Sequence, residues 1–335
     1  MSVTVVDVAK EAGVSRTTVS NVFNNRARYS EETRQAVLAA AKKLGYKPNL
    51  AAKSLITNQS HLIGIILPSY VDSNTMTFSP FYNIIIDSVF SILRNEIYYD
   101  PIIFSVPYKE KLSQVSDWID QRNVDGILAI GEYDQTFLRE LNSKAVPVVL
   151  IDNYSRAHYA NFSYVNSDDE TGGYLATRKL IDGGYKEICL CSVSLHSPVM
   201  QARREGYKRA LHEAGRKEHV FNLSGSPFEA GLSLGKTLID QQIDGIFCTE
   251  DMLAIGVLHS LLEMGTPVGQ EFGLVGYDNI HVGKQVHPEL TTVDQSIFEK
   301  GETATKTILD VINNKVSLGS RLVLPVHLVS RATCR

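Results

Sequence analysis

The segment VTVVDVAKEAGVSRTTVSNVFN, residues 3–24, constrains the fold more tightly than any other stretch of this chain. Thr4 and Asp7 have capping-box spacing, and Val5, Val8 and Ala12 recur at helical intervals until Gly13 stops the helix. Gly13 and Val14 make a tight turn, and Ser15 is placed to cap a second helix whose Val19, Val22 and Phe23 share one apolar face. Its other face carries Arg16, Thr17, Thr18, Ser20 and Asn21. Ser30 then caps a third helix, with Glu31 and Glu32 at its positive end and apolar positions Ala36, Val37, Ala40 and Leu44 running to Gly45. Three short helices joined by so tight a turn spell a helix-turn-helix.

Charge separates this segment from the rest. Residues 1–60 hold nine basic groups against four acidic ones, whereas the whole chain has a formal net charge of −4, so the remainder carries −9. A small basic segment on an acidic body attracts phosphate through its N-terminal part alone. After Tyr46-Lys47-Pro48, the segment NLAAKSLITNQS has room for about two helical turns and ends in polar, linker-like residues.

From His61 the pattern changes to apolar strands alternating with amphipathic segments: LIGIIL, a helix from Phe81 to Asn95, DPIIFSV, a helix near Leu112 to Gln121, VDGILAI and VPVVLID. The order then repeats with helices at Glu170 to Asp182, Arg203 to Ala214 and Met252 to Met264, interleaved with EICLCSV, IDGIFCT and FGLVGYD. Asp125-Gly126-Ile127 and Asp244-Gly245-Ile246 sit at matching places. The expected fold class is therefore α/β, with two lobes built on parallel sheets and a cleft between them, the usual place for a small ligand.

The chain resembles the LacI/GalR family of bacterial transcription regulators over essentially its whole length. The resemblance rests on the opening segment together with LGYKPN, AAKSL, MQARREGYKRAL, TEDMLAIGVL, FGLVGYDNI, HPELTTVDQ and LPVHLVSRAT, in family order. It implies a helix-turn-helix headpiece at 1–47, a hinge helix and linker at 48–60, and a periplasmic-binding-protein-like sensing domain at 61–335. Its first lobe is expected at about 61–164 and 295–323, its second at about 165–294 and 324–335. It also implies a homodimer that binds a palindromic operator as a repressor and is released by an effector; the absence of a basic segment followed by an apolar run at the N-terminus separately suggests a cytoplasmic protein.

By side-chain geometry Arg16 can pair with guanine O6 and N7, Asn21 with adenine, and the Thr17 methyl with thymine, while Thr18, Ser20 and Arg28 contact phosphate. Leu55 falls where the family places an apolar wedge between base steps, and Lys53 replaces the more usual arginine. In the sensor, the resemblance maps the effector onto Phe81, Asp152, Arg203, Glu250, Asp278 and Gln295. Carboxylates that accept from vicinal hydroxyls, an arginine fork and an aromatic ring suit a neutral sugar better than a sugar phosphate. Three departures bear on the ligand: Glu250-Asp251 where Asn-Asp is usual, Ser79-Pro80-Phe81-Tyr82, and Ser226 near a position often aromatic, with Phe228 close by.

Other classes fit poorly. The sequence has no G-x-x-x-x-G-K-[ST] loop, G-x-S-x-G elbow or H-E-x-x-H pair, which argues against an enzyme, and no cofactor is expected. Asp168-Asp169-Glu170 reads as acidic groups at a helix start. The four cysteines lack zinc-site spacing, and no apolar run approaches a bilayer span. An exported sugar-binding protein would need a leader and no headpiece.

Overall fold

The computed structural model describes residues 3–23, 29–46, 59–69, 79–94, 99–107, 112–155, 159 and 161–335. The chain divides into two compact units, Met1–His61 and Leu62–Arg335. In the first, α1 (Val5–Glu11), α2 (Arg16–Phe23) and α3 (Glu31–Leu44) enclose a small core of Val8, Ala9, Val19, Val22, Phe23, Val37, Ala40 and Ala41. The helix starts are held as the side chains require. The Asp7 carboxylate accepts from the Thr4 amide and hydroxyl at 2.8 and 2.7 Å, Ser15 Oγ accepts from the Thr18 amide at 3.0 Å, and Ser30 Oγ from the Thr33 amide at 3.2 Å. Gly45 ends α3 at φ 65°, where a side chain would be strained. Ala36, expected inside, is exposed; Ala41 takes its place because the buried stripe runs through 37, 40 and 41, and residue 36 lies a quarter-turn off it.

The second unit is two parallel α/β layers. The first is built from β1 (Leu62–Ser69), α4 (Pro80–Leu93), β2 (Asp100–Pro107), α5 (Leu112–Arg122), β3 (Gly126–Ile130), α6 (Gln135–Ser143), β4 (Val148–Ile151) and β5 (Phe162–Ser167). The second follows with α7 (Asp169–Asp182), β6 (Ile188–Ser192), α8 (Pro198–Glu213), β7 (Val220–Asn222), α9 (Pro227–Leu232), α10 (Gly235–Asp240), β8 (Gly245–Cys248), α11 (Asp251–Glu263), β9 (Gly273–Tyr277) and β10 (Thr291–Asp294). The chain then returns to the first layer as α12 (Ile297–Ile312) and β11 (Arg321–Leu324), and ends in the second as β12 (His327–Val329).

Strand orders are β11-β5-β4-β3-β1-β2 and β12-β10-β9-β8-β6-β7, so Gly126 and Gly245 open strands at equivalent positions of the two sheets, as the duplicated Asp-Gly-Ile suggests. Among the described residues every strand pairing is parallel except β10 with β12, an antiparallel edge. The central strands are buried along their whole length, as a sheet covered on both faces demands. Helix α8 begins at Pro198, five residues before the expected Arg203, because Ser197 caps it and Pro198 suits a first turn. Sequence periodicity also passed over α6, α12, β5 and the short elements α9, α10, β7 and β10–β12.

Three crossings join the layers, at 167–169, 294–297 and 324–327. They are bonded to one another: the Asp168 amide donates to the Leu324 carbonyl at 3.0 Å, and Ser167 Oγ to the Gln295 carbonyl at 3.2 Å. In the second lobe α7 and α8 touch backbone to backbone. A Cβ on Gly206 would stand 1.9 Å from the Glu170 carbonyl oxygen, and one on Gly173 1.9 Å from that of Arg203. Gly206→Ala should therefore push the helices apart and cost about 1–3 kcal/mol or more, read as a lowered midpoint in chemical denaturation. An unchanged midpoint would mean the contact is looser than described.

Candidate nucleic-acid interface and effector cleft

On α2 the apolar side is fully committed to the core, which turns Arg16 and Thr17 outward as exposed residues. Thr18, Ser20 and Asn21 are half-buried at the margin of that face. Thr18 Oγ1 lies 2.9 Å from Ser15 Oγ, so its hydroxyl also serves the helix cap. Arg28, Lys53, Leu55 and the expected hinge helix lie outside the described residues.

In the sensing unit, four of the six expected effector residues form one continuous polar chain. Asp152 follows β4 and Asp278 follows β9, both with positive φ, 53° and 113°. A non-glycine residue held at such angles signals a backbone over-determined by its surroundings, and such strain clusters at binding sites. Lys300 Nζ, on α12, donates to Asp152 Oδ1 at 2.6 Å and to Gln295 Oε1 at 2.5 Å. Gln295 Nε2 donates to Asp278 Oδ1 at 2.5 Å. Because an ammonium only donates and a carboxylate only accepts, these two neighbours fix which way the Gln295 amide points. Arg203 Nη1 sits 3.8 Å from the same Asp278 oxygen, while its Nε donates to Asp169 Oδ1 at 2.8 Å and its Nη1 to the Thr249 carbonyl at 2.5 Å. Tyr154 closes the chain by donating to Asp169 Oδ2 at 2.7 Å and contacting the Ser167 carbonyl at 2.8 Å.

The contacts run from one lobe to the other and back. Asp152, Tyr154 and Lys300 belong to the first layer, Asp169, Arg203 and Asp278 to the second, and Gln295 to a crossing. The Arg203 guanidinium also lies over the Tyr277 ring, 3.7 Å from its centroid. A second bridge lies between the lobes: Glu132 Oε1, after β3, accepts from Ser197 Oγ and the Val199 amide at 2.9 and 3.0 Å, at the start of α8. Phe81 stands at the start of α4, its ring centroid 5.5 Å from Lys300 Nζ.

Glu250 differs from the others. It precedes α11, is half-buried, and its carboxylate has no hydrogen-bond partner among the described residues. Desolvation, then the nearby Asp278 charge, push its carboxyl up to about 7 despite the opposing pull of Arg203. Burial likewise lifts Asp278 to about 6, against Arg203 and the Gln295 hydrogen bond. Asp251, beside Glu250 in sequence, turns away from it: its Oδ1 accepts from Thr292 Oγ1 at 2.6 Å and its Oδ2 from the Ile280 amide at 2.9 Å, tying α11 to the strand layer.

Sequence reasoning missed Lys300, Asp169, Tyr154 and Glu132. Asp169 looked like one of several acids at a helix start, but it is fully buried against Arg203. Lys300 carried a readable signal, a lysine on the inward stripe of an amphipathic helix. Tyr154 and Glu132 lie in loops, where periodicity says nothing.

Residues 4–49 match the family model for bacterial regulatory proteins of the lacI family, and residues 148–334 match that for a periplasmic binding protein-like domain. Over 99% of its length the chain is 32% identical to the HTH-type transcriptional repressor PurR of Haemophilus influenzae, covering 98% of that protein. This chain belongs to the lacI family. It is a DNA-binding transcription repressor of that family and not an enzyme. Among solved structures, this family member is similar to the transcriptional regulator CelR in complex with cellobiose, at 26% identity, a TM-score of 0.74 and 99% of each chain covered. It is also similar to a LacI family regulator from Enterococcus faecium with bound ribose, at 26% identity, a TM-score of 0.70, and 81% and 98% of the two chains covered. The lac repressor dimer bound to operator, at 24% identity, a TM-score of 0.76 and 99% of each chain covered, shares the fold.

The raised carboxyls in the cleft set the sign of a pH effect. A carboxyl whose pKa is higher folded than unfolded binds its proton more tightly in the native state, so stability is fullest below the unfolded value near 4.5 and falls as pH rises through about 7. For Glu250 the swing is at most about 3 kcal/mol, reduced by whatever water the cleft admits. Glu250→Gln should flatten the decline in melting temperature between pH 5 and pH 8 relative to the parent chain. Parallel profiles for the two proteins would show that Glu250 titrates normally.

Proposed function

We propose that this repressor binds a palindromic operator as a homodimer and is switched by a neutral sugar held in the cleft between its lobes. The observation that carries the DNA half is the outward face of α2, where Arg16 and Thr17 stand exposed on a helix whose other side is locked into the three-helix core. A bidentate arginine–guanine contact discriminates by about 1–3 kcal/mol, and an asparagine at residue 21 suits adenine. Two such helices related by a twofold axis call for an inverted repeat. Arg28, Thr18 and Ser20 supply phosphate contacts in this reading, Lys53 binds DNA beside the wedge, and Leu55 from each subunit wedges open the central base step. The headpiece takes 1–47, the hinge and linker 48–60, and the sensor the remainder. Such a protein works in the cytoplasm, and no helix among the described residues is long and apolar enough to cross a membrane.

The sugar reading draws support from the bound cellobiose and ribose of the two similar regulators and from the chemistry of the cleft. Glu250 and Asp278 on one wall accept from hydroxyls, and the Phe81 ring suits the apolar face of a pyranose. A ligand changes operator affinity only by binding two lobe arrangements unequally. The bridges through Lys300 and Glu132 hold one such arrangement, and a sugar that re-forms them differently favours another. In this reading the sugar releases the repressor.

Selection from a randomised duplex library should return an inverted repeat, and Arg16→Ala should relax the preference at one position in each half-site. Recovery of sequences without twofold symmetry would sink the dimeric-reader proposal. Leu55→Ser should weaken operator binding in a gel-shift titration at fixed salt while leaving ligand affinity intact, and equal operator affinity would remove the wedge.

A further inference from the structure

Lys300 occupies a position that the pattern of its own helix reserves for an apolar side chain. The buried residues of α12 are Ile297, Lys300, Gly301, Ala304, Thr305, Ile308 and Leu309, a regular inward stripe in which the lysine is the one charged member. Its side chain is fully buried. Burying an ammonium is unfavourable unless it is paired and hydrogen-bonded, so its presence there reflects a polar task. The backbone is shaped to deliver it: at the next residue, Gly301, a Cβ would collide with Ser88 Oγ at 1.8 Å, so α12 packs directly on α4, the helix whose first turn carries Phe81.

The ammonium touches three of the residues expected to meet the effector: Asp152, Gln295 and the ring of Phe81. Two of its three N–H groups go to Asp152 and Gln295, and the third has no acceptor among the described residues. One oxygen of Asp152, Oδ1, is thereby taken by a lysine of its own lobe, and the charge of that carboxylate is balanced there. The opposite wall differs, since Glu250 accepts from nothing among the described residues and Asp278 accepts from Gln295. The first lobe thus holds a carboxylate balanced by a cation with an N–H to spare, and the second a carboxylate, Glu250, with no cation at contact distance among the described residues.

We propose that Lys300 is a specificity-determining residue of this cleft: it selects ligands that present an acceptor-only oxygen, such as a carbonyl, to the first lobe, and it rejects those that present an ammonium there. The proposal rests on the cleft being the sugar site. Hydroxyl or amide N–H groups of the same ligand face Glu250 and Asp278. An extra cation beside Lys300 meets like-charge repulsion at short range in a poorly solvated space, whereas a carbonyl takes its third N–H once the lobes part enough to admit a ligand to this buried ammonium.

Isothermal titration of the full-length chain with glucose, glucosamine and N-acetylglucosamine tests this with matched skeletons. The parent protein should bind N-acetylglucosamine at least tenfold more tightly than glucosamine. In Lys300→Met the preference should reverse, because the freed Asp152 carboxylate accepts from the ammonium. Since Lys300→Met leaves a buried charge unpaired, the double variant D152N/K300M, which removes both charges, gives a second readout in which the ratio should shrink to below threefold. A ratio that is unchanged in the folded double variant, or that favours glucosamine in the parent, overturns the role of Lys300 while leaving the sugar site standing. If none of the three sugars binds the parent or either variant, the sugar reading of the cleft fails and this proposal with it.

Discussion

The buried polar chain from Asp152 through Lys300, Gln295, Asp278 and Arg203 to Asp169 is the constraint around which the sensing unit is arranged. Charges removed from water are tolerable only when each has its partner at hydrogen-bond distance, and removing one partner typically costs about 3–5 kcal/mol. Here the partners come from both lobes and from a crossing between them. Their positions therefore fix how the lobes meet, and the positive φ of Asp152 and Asp278 shows the backbone bending to meet that demand. The close passage of α7 over α8 at Gly173 and Gly206 serves the same end, since it sets the depth at which Arg203 reaches Asp169.

The same chain explains why the cleft is chemically uneven. Asp152 and Asp169 each have a cation at contact distance, whereas Glu250 has none and Asp278 shares Arg203 at 3.8 Å. The surplus of negative charge is thus concentrated on the second lobe, where burial relieves it by favouring the protonated forms. The proposed preference for a neutral sugar over a phosphate rests on this imbalance, which distinguishes the two lobes although both sheets follow the same plan.

How much of this was legible in the sequence varied with the range of the interaction. The three helices of the first unit, their caps at Thr4, Ser15 and Ser30, and the terminating Gly45 depend on contacts three or four residues apart, and the structure bears them out to within a residue or two. The one slip there, Ala36 for Ala41, came from taking a residue a quarter-turn off the buried stripe to which Ala41 belongs. The alternation of strands and helices, and the duplicated Asp-Gly-Ile at matching strands, likewise follow from local periodicity.

What the sequence by itself determined is therefore the order and type of the main elements, the outward face of α2 and the residue types available to the cleft. Tertiary structure alone decided the pairings, because Lys300 meets Asp152 across 148 positions of sequence and Gln295 meets Ser167 across 128. No local rule covers such distances. A lysine on an inward stripe announces only that some carboxylate must come to it; which one arrives is settled when two layers, three crossings and a glycine at 301 bring α12 against the end of β4.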